Sequence, residues 1–519
     1  MGKRSGIPHS ESRIDNSIRN LKVAWICQIC MIVVKFVSRR LFVHNIPDEY
    51  LGLDNLYSNV VSVLNLAELG IGVAVGYELY KPLATRDEKM VVAIVKYMAT
   101  LFRRIALVVS ITGMCIIPLL PQVAPEITEL KFAYPAYFLF LYATSLSYFW
   151  GYKSILCSAD QKNYIYTRNH YIFCITMNVV QGISLWIWKS YILYALIQFI
   201  FAIAEGIALS WVMDRNYPIL KSSGSLSIDL AVKKRIWNDV KYISVGNIGN
   251  QLIASTDSIV VTKVLGLISN GVYGNYVLII SAAATIIDQI LGAMTASIGN
   301  LVTTENKNKQ EEIFWQLLFI QSSVYCLASA CLFNTIQPFI GYWLGSQYCL
   351  DIWCVVCLII SFYLRGCRIV VNTFRKAYGL FAEDALKSCV EALGNIGLSF
   401  ALAYVWGMKG VVLATIFSAL IAMLGFETHK LSQKMGFGEK QYYLKMLIYM
   451  AISASIMLFS YLLCRKLPMN WYIRIPSGIC VSVMVFMCEW LLLFGKKREF
   501  VDTVKMFLTQ IRGNVGDGE

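Results

Sequence analysis

This sequence is short of charge. Only 15% of its 519 residues are Asp, Glu, Lys or Arg, against 57% hydrophobic, and the mean hydropathy is +0.57. Such a composition excludes an ordinary soluble domain. Long polar stretches are missing too: after a polar, basic leader at residues 1–19, apolar runs follow one another with short connections. No Ser/His/Asp set, metal cluster or phosphate-binding glycine loop stands out, which argues against an enzyme. The chain also lacks a disulfide framework. Its fifteen Cys, among them Cys115, Cys174, Cys326 and Cys331, are scattered through apolar segments as small core residues. Two C-x-x-C spacings, Cys27 to Cys30 and Cys354 to Cys357, fall inside apolar runs with no His pair beside them, so no metal site and no cofactor are expected. The first apolar run, 21–43, is long and basic and has no small-residue cleavage site, so it is expected to be a span and not a cleaved signal.

What is present is hydrophobic length. A helix needs about 20 mostly apolar residues to cross a bilayer. Fourteen spans are expected, near 21–43, 51–80, 90–118, 133–156, 164–187, 191–213, 241–264, 269–301, 312–341, 350–374, 386–406, 410–428, 442–464 and 472–494. The fold class is therefore all-α and polytopic. The net charge of +14 lies in short loops and not in one patch, which favours membrane orientation over nucleic acid. Basic residues crowd alternate connections, from the leader through Lys81, Arg86 and Lys89 to Arg375 and Lys376, whereas 44–50, 119–132, 265–268, 342–349 and 407–409 hold only Lys131 and Lys409. The positive-inside rule then places both termini in the cytoplasm. The connection with Arg465, Lys466 and Arg474 breaks the pattern.

A shift of 219 residues aligns Gly52 with Gly271 and Tyr57 with Tyr276, and a shift of 223 aligns Lys153 with Lys376. Two six-span halves related by a parallel repeat are expected. The boundaries are a leader at 1–20, a bundle at 21–214, a linker at 215–240, a second bundle at 241–430, two further helices at 431–495 and a tail at 496–519. In the tail, Phe500, Val504, Phe507, Leu508 and Ile511 recur at helical spacing with Lys505 and Arg512 among them, an amphipathic surface helix.

Charges inside spans are costly and mark cavities or partners. Lys35 and Arg39 are four apart, Lys96 and Arg103 seven apart, and Arg365 and Arg368 three apart, so each pair shares a helix face. The acids Glu68, Asp257, Asp288 and Glu205 are equally deep. Asn247, Asn250, Gln251, Asp257 and Ser258 form one polar stripe, which is expected to look into a cavity. Ordinary alternatives exist for each: Arg39 or Arg40 snorkelling to headgroups, Glu205 pairing with a base on the next helix, and Arg104 serving structure. Taken together, three helices each supplying a cationic pair favour a cavity for an anionic amphiphile, with Arg suited to phosphate. The acids serve as counter-ions or as a site for a coupling H⁺ or Na⁺.

EYLGLDNLYSNVVSVLNLAELGIGVAVGYELYKPL (49–83), STDSIVV (255–261), GVYGNYVLI (271–279), ASIGNL (296–301) and the segment 374–399 resemble the Wzx-type oligosaccharide flippases. These belong to the multidrug/oligosaccharidyl-lipid/polysaccharide (MOP) exporter superfamily. The resemblance covers roughly residues 20–430 and is most specific at 50–82. It implies two six-helix bundles in a V around a central cationic cavity. It also implies a bacterial inner-membrane flippase, working by alternating access, that moves polyprenyl diphosphate-linked repeat units for surface polysaccharide. Arg39 then stands at the basic position before EYLGL, Glu68 is the acid of LAELGIG and Asp257 the acid of STD. Expected partners are the lipid-linked oligosaccharide, membrane lipids, and a polysaccharide polymerase with chain-length or export proteins. A peptidoglycan lipid II flippase and a cation-coupled multidrug antiporter share the architecture. The excess of Lys and Arg disfavours cationic drugs, and the LAELGIG and YKPL motifs favour the polysaccharide branch. A membrane polymerase or ligase is the alternative of another class, but the connection at 119–132 offers only Glu126 and Glu129 as acids.

The orientation is testable. In a Cys-free background, single Cys probes at Asp87 and Asn306 should label from the cytoplasmic side alone and one at Gln122 from outside alone. The reverse pattern would overturn the orientation.

Overall fold

The computed structural model describes residues 13–65, 71–221, 228, 230–295, 298–465 and 470–494. Glu68, the start of the leader and the whole tail lie outside these residues. Among the described residues the chain is helical, with no strand. The first helices are α1 (Arg13–Asn45), α2 (Asp48–Leu64), α3 (Ile71–Thr85), α4 (Glu88–Ile116) and the short α5 (Leu120–Val123). There follow α6 (Ala133–Ala159), α7 (Asn163–Trp188), α8 (Tyr191–Asn216), α9 (Leu230–Thr295) and α10 (Ile298–Thr304). The remainder comprises α11 (Lys307–Trp343), α12 (Ile352–Ala377), α13 (Phe381–Trp406), α14 (Met408–Ala422), α15 (Thr428–Met435), α16 (Glu439–Cys464) and α17 (Trp471–Phe494).

Ten of these segments are long and apolar enough to cross a membrane, and the chain is a multi-pass membrane protein. A bilayer offers no water to unpaired backbone groups, so continuous helix is the form these runs must take. The segment Asn247–Gln289 holds two crossings, because α9 breaks at Gly266 (φ 85°, ψ 171°) into two limbs. A single helix of 66 residues would measure about 100 Å at about 1.5 Å per residue. The other expected spans correspond to α1, to α2 with α3, and to α6, whose many tyrosines lower its hydropathy.

Asx residues start several helices: the side chains of Asp87 and Asn306 accept from the backbone N–H of Met90 (3.0 Å) and Lys309 (2.9 Å). Asp351 does the same for Trp353 at 3.1 Å. A hydrogen bond from Lys409 Nζ, 2.8 Å away, holds the Asp351 carboxyl below the usual carboxylate range.

By their packing the residues form two compact units, Met1–Gly274 and Asn275–Glu519. In the first, α6 packs on α4 and α8, and α8 on α7. In the second, α12 packs on α11 and α14, and α14 on α13, with α16 and α17 against α11. The third to sixth spans of each expected half thus keep the same neighbours.

Within the first unit α2 meets the α9 hairpin at very short range. The two limbs of the hairpin are stitched by Ser258 Oγ donating to Asn270 Oδ1 (2.7 Å) and by Tyr273 Oη donating to Asp257 Oδ2 (3.4 Å). Asn270 Nδ2 donates to the Gly52 carbonyl and Asn55 Nδ2 to the Asn270 carbonyl, both at 3.1 Å. A Cβ on Gly52 would stand 1.8 Å from the Leu267 carbonyl oxygen, so only glycine admits this contact. Gly52→Ala should therefore cost about 1–3 kcal/mol of stability through overpacking, read as a lowered melting temperature in detergent. Gly425→Ala, where a Cβ meets nothing within 4 Å, is the control and should melt close to the unmodified protein.

Candidate functional site

The deep cations differ sharply in what surrounds them. On α12, Arg365 and Arg368 lie three residues apart and have opposite fates. The Arg365 side chain is 58% exposed and its Nη2 donates to Asp288 Oδ2 at 3.2 Å. Asp288 also accepts from the Tyr325 hydroxyl at 2.6 Å. Arg368 is enclosed instead. Its guanidinium forks onto both oxygens of Glu391 at 2.7 Å, and its Nε and Nη2 reach Glu427 Oε1 at 2.9 and 2.6 Å.

Around Arg368 the charges close into a network. Lys387 Nζ reaches the same Glu427 oxygen at 3.1 Å and Asn372 Oδ1 at 3.2 Å. Arg375, wholly buried, donates through Nε to Asp384 (2.5 Å) and through Nη1 to the carbonyls of Phe426 (3.0 Å) and Glu427 (2.6 Å). Three cations and three carboxylates therefore balance across α12, α13 and the turn between α14 and α15. That turn, Met423–Glu427, is π-helical. It inserts the extra residue that lets Glu427 face inward. Buried charges of this kind need both partners, since desolvation is repaid only by close pairing.

In the first unit, Lys35 is exposed on α1, as are Arg103 and Arg104 on α4. Arg39 is mostly buried: its Nη2 donates to Asn55 Oδ1 at 3.3 Å and its Nη1 lies 4.0 Å from Asp54. The LGLDN segment thus supplies a glycine for close approach and two residues that hold Arg39. Asp257 and Ser258 sit within the α9 hairpin described above. Gln251 Nε2 donates to Ser62 Oγ of α2 at 2.6 Å, and Asn247 is half-buried. The side chain of Asn250 and all of Glu68 lie outside the described residues. The structure therefore joins Arg39 to α2, joins the polar stripe to α2 and the hairpin, and joins Arg365 to Asp288, while Arg368 belongs to its own network.

Several engaged residues escape reasoning from spacing. Lys153 of α6 binds Asp214 of α8 at 2.7 Å, the counterpart of the α12 to α14–α15 tie in the other unit. Tyr217 Oη donates to Asp160 at 2.8 Å, and Lys162 lies 2.9 Å from the same carboxylate. Glu205, by contrast, pairs with a base on a neighbouring helix as one reading of the sequence has it, and its partner is His170 of α7, with Nδ1 at 2.7 Å.

No family model matches the sequence, and no curated protein does. Solved structures do. A multidrug resistance MATE family transporter of the MOP superfamily, inward-facing, aligns over 80% of this chain and 99% of its own with a TM-score of 0.63 at 13% identity. The lipid II flippase MurJ, in an inward closed conformation, aligns over 91% and 98% with a TM-score of 0.64, also at 13% identity. A MOP superfamily transporter from Pyrococcus furiosus aligns over 81% and 97%, with a TM-score of 0.53 at 12% identity. The fold is that of the MATE and MurJ polytopic transporters.

The two arginines of α12 give a clear contrast in stability. Arg368→Ala strands Glu391, whose side chain is 5% exposed, leaves Glu427 with Lys387 alone, and should cost about 3–5 kcal/mol. Arg365→Ala removes a half-open pair and should cost about 1 kcal/mol or less. Thermal melting in detergent separates them, and equal losses would contradict the buried network.

Proposed function

We propose that this chain is a flippase that moves a lipid-linked anionic oligosaccharide, a polyprenyl diphosphate-linked repeat unit, across the bacterial cytoplasmic membrane by alternating access. The observation that carries it is the survival of exposed cations inside spans of a transporter fold. Lys35, Arg103 and Arg365 keep their side chains exposed on membrane helices, although the same chain neutralises Arg368, Arg375 and Lys387 completely. Arg365 has one anion in Asp288, and a helix that leaves cations this open at such depth can take a further anion from outside. Guanidinium groups meet diphosphate oxygens in forked geometry. The resemblance of residues 49–83 to the Wzx-type flippases narrows the cargo to surface polysaccharide units. The similar structures include both a lipid II flippase and multidrug transporters, so the choice of an anionic cargo rests on the exposed cations and the resemblance.

Asp288 is the coupling acid in this proposal. It is one-third exposed and bound to Arg365, so an arriving phosphate would displace the carboxylate from the guanidinium and the freed carboxylate would take up the coupling proton. Asp257, buried within the hairpin, serves structure. Polymerase and chain-length proteins of the export route are the partners expected to receive the product.

Arg365→Ala and Arg39→Ala should both abolish polysaccharide display in cells holding the variants at unmodified abundance. Arg365→Lys should restore part of it, because it keeps the charge but loses the fork, each charge-assisted bond being worth about 1.5–3 kcal/mol. Normal display by both Ala variants would overturn the proposal. Uptake or efflux of cationic dyes by the purified protein in vesicles would favour drug antiport instead.

A further inference from the structure

His170 and Cys174 are one helical turn apart on α7, and Glu205 of α8 faces them. One nitrogen, one sulfur and one carboxylate oxygen from these residues all lie within 4.8 Å of one another. We propose that they form a binding site for a divalent transition cation of the Zn²⁺ class, which staples α7 to α8.

The donor set matches that chemistry, since imidazole, thiolate and carboxylate are the ligands Zn²⁺ takes, and three of them leave a fourth position for water. The geometry is already close. Zn–N and Zn–S bonds of about 2.0 and 2.3 Å at a tetrahedral angle put their donor atoms about 3.5 Å apart. His170 Nδ1, the nitrogen that Glu205 faces, lies 3.8 Å from Cys174 Sγ. The ring is also held in place: Tyr166 stacks on it at 5.7 Å, Tyr171 meets its edge at 5.6 Å, and Glu205 Oε1 lies 2.7 Å from Nδ1. Replacing the proton shared by Nδ1 and Oε1 with an ion would make both atoms ligands, and it asks for a shift of under about 1 Å.

Charge points the same way. A thiolate, a carboxylate and a neutral imidazole around a doubly charged cation sum to zero, the least costly state between two membrane helices. The side chains of His170 and Glu205 keep 39% and 22% of their surface, so an ion can enter without unfolding. His170 lies two turns from the start of α7 at Asn163, close to one end of the span.

Co²⁺, added to the purified full chain in detergent, serves as the probe. About one equivalent should bind with a thiolate-to-Co²⁺ charge-transfer band. Cys174→Ser should lose that band, His170→Gln should weaken binding by at least about tenfold, and the Cys27→Ser/Cys30→Ser double variant should leave both unchanged. A second measurement needs no variant: Zn²⁺ should slow alkylation of Cys174 severalfold in the unmodified protein, followed by peptide mass spectrometry. A full band in Cys174→Ser, or Cys174 alkylation indifferent to Zn²⁺, would overturn the site.

Discussion

The structure depends on neutralising charge where water does not reach. The cluster around Arg368 does this with three cations and three carboxylates drawn from consecutive helices of the second unit. None of these six groups could be buried alone, because an unpaired ion in an apolar interior costs several kcal/mol. The network consequently fixes how α12, α13 and α14 stand against one another more tightly than apolar contacts alone, which in lipid have little driving force of their own. The smaller ties in the first unit, Lys153 with Asp214 and Asp160 with Tyr217 and Lys162, do the same for α6 and α8.

Against that background, exposure of a cation becomes informative. Arg365 and Arg368 are chemically identical and three residues apart, yet one is enclosed by two glutamates and the other stays largely open. Burial divides the charged residues into those that hold helices together and those, such as Arg365 with its half-open partner Asp288, that stay accessible. Arg39 is intermediate, since its contacts with Asp54 and Asn55 bind it to α2.

Helical runs and their polytopic character were legible from hydropathy, because period and length are local properties. Face-sharing was legible in part. The spacing of Arg365 and Arg368 puts them on one side of α12, but what decides between them lies 23 and 59 residues further on, at Glu391 and Glu427, beyond the reach of any periodicity. The polar stripe of α9 was visible as a stripe. Its partners were not, because Asn270 and Tyr273 come back on it only after the chain turns at Gly266. The His170 and Cys174 spacing could have been noticed, as the i, i+4 step is a helical signal, but Glu205 arrives from another helix.

The π-helical turn at Met423–Glu427 constrains chain length as well as geometry. One inserted residue rotates everything after it by about 100°, so α14 and α15 present two faces that no single heptad-like pattern could write in one uninterrupted helix. Loss of a single residue there would leave the composition and hydropathy almost unchanged, yet it would swing Glu427 away from Arg368 and Lys387. Length, at this point of the chain, is as constrained as identity.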